Sequence, residues 1–344
     1  MLTDIFANRY VSIPMWGTFG EDKQRFLVQG FRIVIEQLYP YWVGGKESTA
    51  AKIKWTAIHD KLSMELGLSE LAPKYYVSAT SVSTKSMSQV CEDFVCAKYD
   101  GSVSADRFMK ERISFIELAF REKETELNEK NKNLPDTLFA TKFSDASCKP
   151  GGMRFPGNRT DGMKAYCELL NSRFRASVDE LNERLRQAGC NLNYHNGFIQ
   201  MSDDELVEEQ IEKEFWSITK DPLWKNVDID MKEAIDLRDS NGRDPSLYAA
   251  KALESTIKII SDQKGWTHGS EQGACNYIDN LTSKKNGKFI DAWESTTLKF
   301  FFTSVRNPLG HGPGNEVMPT LTPQQTNWAI ETCMSWIKSL VKRM

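Results

Sequence analysis

Leu27-Val28-Gln29-Gly30-Phe31-Arg32-Ile33-Val34-Ile35-Glu36-Gln37-Leu38 sets the character of this chain. Leu27, Phe31, Val34 and Leu38 recur at spacings of three and four, which puts them on one stripe of a helix; a half-buried strand would alternate instead. The spacing returns at Trp55, Ile58, Leu62 and Leu66. It returns again at Met109, Ile113, Ile116 and Phe120, inside a helix expected from about Ser104 to Asn131. Arg121-Glu122-Lys123-Glu124 in that helix reads as a solvated charged face. A further long helix is expected from about Gly162 to Gln187, with Leu170, Phe174, Leu181 and Leu185 inward and Gly189 as its stop. The chain is therefore expected to be mainly α.

One short β element interrupts the helices. Leu192 to Ile199 places Asn196-Gly197 between two apolar-containing arms, a strong hairpin signal, with His195 as a turn residue. Ser202 and Glu205 form a capping box opening a helix that carries Val207, Ile211, Phe215 and Ile218. Asp221-Pro222-Leu223-Trp224 ends that helix and is the expected domain boundary. Phe143 to Asp161 reads as a loop, on which Lys149, Arg154 and Arg159 make a small basic cluster. The resulting division is an N-terminal helical domain at 1–145, a linker, long helix and hairpin-helix segment at 146–222, and a C-terminal bundle of four or five helices at 223–344. In that bundle Asp244-Pro245 opens a helix with an acidic N-cap, and Ala250, Leu253, Ile257 and Ile260 face the core. Another helix spans roughly Lys288 to Ser304. The last begins at Thr322-Pro323, with Gln325 placed for a capping box, and buries Ile330, Cys333, Ile337 and Leu340.

With 44 basic and 47 acidic residues in 344, the chain has no overall electrostatic footprint for nucleic acid. A nucleic-acid site would have to be local. Met1-Leu2-Thr3-Asp4-Ile5 lacks a basic start followed by an apolar run, so no signal peptide is expected. No window approaches the roughly 18 apolar residues that span a bilayer. A cytoplasmic protein without membrane contact is the expectation. The seven cysteines are scattered, and Cys91 and Cys96 have no second pair at metal-ligand spacing. Reduced thiols are expected, with no metal and no cofactor.

Chemistry concentrates in Ser304-Val305-Arg306-Asn307-Pro308-Leu309-Gly310-His311-Gly312-Pro313-Gly314. So many glycines and prolines cannot continue a regular helix. Pro308 removes an amide donor and should push Asn307 out of the α region. The expected outcome is Arg306 at a helix end and His311 in a glycine-flanked bend. Arg306 is a permanent cation whose forked donors match phosphate oxygens. Histidine gives or takes a proton near neutrality. Together they supply the minimum for cleaving RNA with its own 2′-hydroxyl as nucleophile. By spacing alone, the preferred reading is that the same two residues simply cap a helix and satisfy a turn.

Arg306-Asn307-x-x-x-His311 resembles the Arg-polar-spacer-His signature of HEPN ribonucleases, including its place between the last long helices of a bundle. Ala249-Ala250-Lys251-Ala252-Leu253-Glu254-Ser255-Thr256-Ile257-Lys258 is similar to the helix that precedes the motif in abortive-infection C-terminal domains. Asp4-Ile5-Phe6-Ala7-Asn8-Arg9-Tyr10 resembles the start of AbiJ-type abortive-infection proteins. So do the Tyr194-His195-Asn196-Gly197 hairpin and the acidic Asp203-Asp204-Glu205-Leu206-Val207-Glu208-Glu209 that follows it.

The resemblance implies a HEPN-like bundle acting as a metal-independent endoribonuclease on tRNA or mRNA, leaving 2′,3′-cyclic phosphate and 5′-hydroxyl ends. It implies a homodimer with a composite active site, in which Arg306 stabilises the phosphorane, His311 is general base or acid, and Asn307 orients phosphate or histidine. A phage-derived trigger or an antitoxin would control it. The alternatives are a non-catalytic HEPN dimerisation or RNA-binding scaffold, or the toxin of a toxin–antitoxin pair. Glu254 and Lys258 are preferred as a simple surface ion pair at i and i+4, the alternative being that Glu254 positions Arg306 or His311. His59 and His268 are expected to be structural.

Overall fold

In a computed structural model, which describes residues 4–77, 81–147, 159–201, 211–310 and 320–344, the apolar stripes become buried helix faces. The chain divides into two units, Asp4–Ile199 and Gln200–Met344. It is mainly α, with small antiparallel hairpins, as the periodicity requires.

The first unit opens with α1 (Phe6–Arg9) and α2 (Glu21–Ile33), which a π-helical turn extends over Val34–Leu38. A hairpin of β1 (Trp42–Val43) and β2 (Lys46–Glu47) precedes α3 (Thr49–Glu65). The hairpin of β3 (Tyr75–Val77) and β4 (Val82–Thr84) precedes α4 (Met87–Val95). Two long helices follow, α5 (Ala105–Ser147) and α6 (Arg159–Gln187), and then β5 (Leu192–His195) and β6 (Phe198–Met201). Phe31 of α2, Trp55 of α3 and Phe115 of α5 meet ring to ring, with centroids 5.6 to 6.0 Å apart. Gly30 lets α2 approach α5, because a Cβ there would come within 2.6 Å of Ile116 Cδ1. Leu27, Phe31, Val34, Leu38, Trp55, Ile58 and Leu62 are buried, whereas Leu66, at the end of α3, is only half-buried.

Two expectations for this unit are corrected. α5 does not stop near Asn131 but runs through Pro135 to Ser147, and α6 starts at Arg159, so the loop expected from Phe143 to Asp161 is helical at both ends. Lys149 and Arg154 lie outside the described residues. Asn131 and Asn171 exchange side-chain amide bonds of 3.1 and 3.0 Å, so α5 and α6 run side by side. Such packing can outweigh a proline and poor local propensity.

The second correction concerns Arg121-Glu122-Lys123-Glu124. Arg121 Nε donates to the Gly197 carbonyl at 2.7 Å, and buried Glu124 accepts from Tyr194 Oη at 2.8 Å. Fully buried Glu117 takes a two-pronged bond from Arg9 (3.0 and 2.8 Å), one from Arg121 (2.6 Å) and one from the Ile199 amide (2.8 Å). The Phe198 ring lies 4.7 Å from Arg9 Cζ and 4.3 Å from Arg121 Cζ. The hairpin therefore covers a face that local charge pattern assigned to water. Its turn is as expected: Asn196 and Gly197 both take positive φ, 44° and 89°.

In the second unit, α7 (Lys213–Thr219) leads through a 3₁₀ turn at Pro222–Trp224 into α8 (Lys225–Asp239). Ser202 to Gln210, including the expected capping box and Val207, lie outside the described residues. Phe215, Trp216 and Trp224 pack in the same core as α8, so the Asp221-Pro222 turn lies inside this unit. The two units thus part at 199/200, whereas the sequence division drew its lines at 145 and 222. A Pro-containing turn is a local signal, and whether core residues flank it on both sides is not.

α9 (Pro245–Gln263) is central, with Ala249, Ala250, Leu253, Ile257 and Ile260 fully buried against α8 and the last helix, α13 (Pro323–Lys342). Asp244 precedes α9 as expected but does not cap it. It sits left-handed at φ 56°, in the tight connection from α8, and its carboxylate accepts from Arg243 Nε at 3.0 Å. α10 (Ala274–Thr282) follows, then α11 (Ala292–Phe301), opened by an Asp291–Glu294 capping box four residues later than the expected Lys288. The capping box of Thr322 and Gln325 at α13 is present, and Ile330, Cys333, Ile337 and Leu340 are buried. No helix among the described residues is long and apolar enough to cross a membrane.

Candidate active site

The helix that starts at Ala292 does not end at Arg306. A π-helical turn, Phe302–Arg306, carries it directly into α12 (Asn307–Gly310). Asn307 has φ −65° and ψ −42°, an α conformation, which corrects the expectation that Pro308 would expel it. Its amide donates five residues back to the Phe302 carbonyl. Pro308 then falls in the first turn after the widened one, where a missing N–H is tolerated and the usual clash with the preceding turn is relieved.

The wide turn directs Arg306 toward α9. Its Nη2 lies 3.4 Å from Glu254 Oε2, and its Nη1 donates to Asn307 Oδ1, also at 3.4 Å. The other Glu254 oxygen, Oε1, takes Lys258 Nζ at 2.8 Å. The Glu254 side chain is only 12 % exposed, so it is no simple surface ion pair; it bridges two cations. The Arg306 side chain is 29 % exposed, and its buried Nε has no partner among the described residues. Gly310, one turn on, lies beside the guanidinium: a Cβ there would be in ordinary contact with Arg306 Nη1, at 3.5 Å.

These groups can bind one anionic oxygen pair. Glu254 carries one negative charge against the positive charges of Lys258 and Arg306, leaving a net single positive charge, the complement of one phosphodiester. Long contacts of 3.4 Å hold the guanidinium without exhausting its five donors. Partial burial strengthens any bond it makes to phosphate, because water screens it less.

Of the residues singled out in the sequence, Arg306, Asn307, Glu254 and Lys258 come together here. His311 lies outside the described residues. His59 is buried and structural: its Nε2 accepts from the Leu71 amide at 3.3 Å, so Nδ1 carries the proton it shares with Asp60 at 2.8 Å. His268 is exposed in its loop, where its amide donates to Glu271 Oε1. Tyr277 of α10, whose ring centre lies 5.6 Å from Lys258 Nζ, had no local signal and joins the cluster only through packing. Cys91 is buried, and Cys96 half-buried has its thiol pushed up to about 12 by burial and by Glu92 and Asp93, which does not suit a thiolate ligand. Among the described residues, no group of three or more His, Cys, Asp or Glu side chains could hold a metal ion.

Comparison with known families places the first unit. Residues 4–217 match the family model described as AbiJ N-terminal domain 4, more than half of the chain, in a match that stops short of Arg306. No curated protein and no solved structure matches the chain. With the hairpin clamp and every helix of its first unit inside the matched segment, the chain belongs to the AbiJ N-terminal domain 4 family.

Proposed function

We propose that the chain is an abortive-infection effector that cuts RNA at the Arg306 site, without a metal ion. The observation that carries this is the half-buried Arg306 guanidinium, held by Glu254 and Asn307 in a net positive cluster. In the proposed reaction the RNA 2′-oxygen attacks the adjacent phosphorus and the bond to the 5′-oxygen breaks. A 2′,3′-cyclic phosphate and a 5′-hydroxyl result, and no water is consumed. Arg306 binds the phosphate oxygens, more tightly as charge builds on the phosphorane. His311 takes the 2′-hydroxyl proton or returns one to the leaving oxygen. Asn307 and Glu254 keep the guanidinium aimed, and Lys258 adds long-range attraction. Two copies facing each other would line one cleft with two such clusters, and the first unit would hold the nuclease silent until a phage-derived trigger or loss of an antitoxin.

The full chain, purified and given tRNA or mRNA in EDTA, is expected to release fragments with cyclic phosphate ends, and Arg306→Ala and His311→Ala are expected to abolish this. Cleavage that EDTA stops, or that survives both substitutions, would overturn it. One observation favours the second reading, a non-catalytic RNA-binding or dimerisation scaffold: Glu254 already gives Arg306 a counter-charge, as a purely structural arginine would have. That reading expects RNA binding without fragments.

A further inference from the structure

Beside the Arg306 cluster, the second unit contains a cavity of about 250 Å³. Its walls come from the α8–α9 connection, from Leu309 of α12, and from the start of α13. The two features are joined by α12 and the π turn before it. Leu309 lines the cavity, and a Cβ on the next residue, Gly310, would sit 3.5 Å from Arg306 Nη1 and 3.7 Å from Leu247 Cδ1. One helical turn, about 5 Å, separates Leu309 from Arg306.

The lining decides what would fit. Leu237, Pro245, Leu309 and Leu321 offer apolar faces, and the amides of Asn241 and Asn327 offer both donors and acceptors. Ser246 also lines the cavity; it is 1 % exposed, and its Oγ has no partner among the described residues. A buried hydroxyl in that state is unfavourable until a ligand hydrogen-bonds it.

An anion is poorly served here. Each guanidinium on its wall is matched by one carboxylate, Arg243 by Asp244 at 3.0 Å and Arg238 by Asp239 at 2.7 Å, so these pairs leave no net positive charge, whereas the Arg306 cluster sets two cations against one carboxylate. The start of α9 offers little more, since Pro245 has no N–H and the Leu247 amide is bonded to the Asp244 carbonyl at 3.0 Å. A neutral, flat group edged with donors and acceptors suits these walls. The volume falls below that of pockets for drug-sized ligands, roughly 300 Å³ and up, so the fit is a single heterocycle.

We infer that this cavity is a subsite for one unpaired nucleobase of the RNA whose phosphate Arg306 holds, and that it makes cleavage base-selective. It thus rests on the RNA-cleavage proposal for Arg306. Unpaired bases are read by apolar faces and by hydrogen bonds to their edges, which is what the cavity provides.

The test is calorimetric titration of the full chain with adenosine, guanosine, cytidine and uridine, which lack the phosphate, and separately with inorganic phosphate. One nucleoside is expected to bind at least about tenfold tighter than the weakest, about the discrimination of one good base contact. Asn327→Trp, half-exposed on α13 and placed to fill the cavity, should abolish that binding. Ser246→Ala, which removes only a hydroxyl, should weaken it severalfold with the fold intact, and Arg306→Ala should leave it unchanged. Mapped RNA ends from the wild type should then show the same base preference. No nucleoside binding, binding indifferent to both cavity variants, or displacement of the nucleoside by inorganic phosphate would overturn the inference. Selective nucleoside binding without RNA cleavage would sustain the subsite while refuting the cleavage proposal, and cleavage without nucleoside binding would do the reverse.

Discussion

Glu254→Gln isolates what the carboxylate does for Arg306. The replacement keeps the size and one acceptor of the side chain but removes its charge. Two effects follow, of opposite sign. The Arg306–Glu254 contact is long, 3.4 Å, between side chains 29 % and 12 % exposed. It lies between a surface pair, worth under about 1 kcal/mol, and a buried one, worth roughly 3–5 when broken, so aiming of the guanidinium should weaken by about 1–2 kcal/mol. That corresponds to roughly a 5- to 30-fold loss in kcat. Meanwhile the cluster gains a positive charge, so RNA should bind more tightly at low salt and lose that gain as salt rises. The expected signature is a lower kcat with a lower KM, measured by cleavage of labelled RNA at two salt concentrations, with a fall in melting temperature no larger than about 1–2 kcal/mol accounts for. A general loss of structure would raise KM and lower the melting temperature further. Unchanged kcat, or a fall in kcat with a rise in KM, would refute the positioning role.

Glu117→Ala should destabilise the chain by about 3–5 kcal/mol in urea unfolding, because it takes the fully buried counter-charge from part-buried Arg9 and Arg121 and the acceptor from the Ile199 amide. Burial alone would raise the Glu117 carboxyl, but the Arg9 and Arg121 charges, the Arg9 bond and the Ile199 amide outweigh it and hold the group below its ordinary value. A depressed folded value means the network contributes fully above the unfolded value and loses its contribution as pH falls through the folded one; the gap between wild type and Glu117→Gln should therefore narrow below about pH 4. A gap independent of pH would refute that sign. Gly310→Ala should leave folding intact or raise stability by up to about 1 kcal/mol, since the segment is helical and the new methyl meets only ordinary contacts; a marked fall in melting temperature would mean that the chain bends there. At pH 8, a thiol reagent should modify half-buried Cys167 and Cys275 in the native chain while sparing buried Cys91 and Cys333, whose thiols burial pushes up. Equal labelling of all four before unfolding would contradict the burial.

What the sequence by itself determined is local. Stripes such as Leu27-Phe31-Val34-Leu38 and Ala250-Leu253-Ile257-Ile260 fall on one face of any helix, so their burial follows from the 3.6-residue repeat. The Thr322–Gln325 cap and the Asn196-Gly197 turn likewise need only neighbouring residues. Residue chemistry and motif alone also pick out Arg306, Asn307 and His311 as candidates.

Tertiary structure decided the rest. The Arg121 to Glu124 face is covered because a hairpin some seventy residues later folds back on it, supplying Tyr194 and the Gly197 carbonyl. Glu254 and Lys258 look like a surface pair at i and i+4, and only the packing of the π turn against α9, 52 residues away, makes Glu254 a partner of Arg306. The π turn itself ran against local rules: the energy that keeps Asn307 helical before Pro308 comes from burying Phe301, Phe302 and Leu309, not from propensity. Periodicity tells which face is buried, but it carries no information about which distant side chain that face will meet.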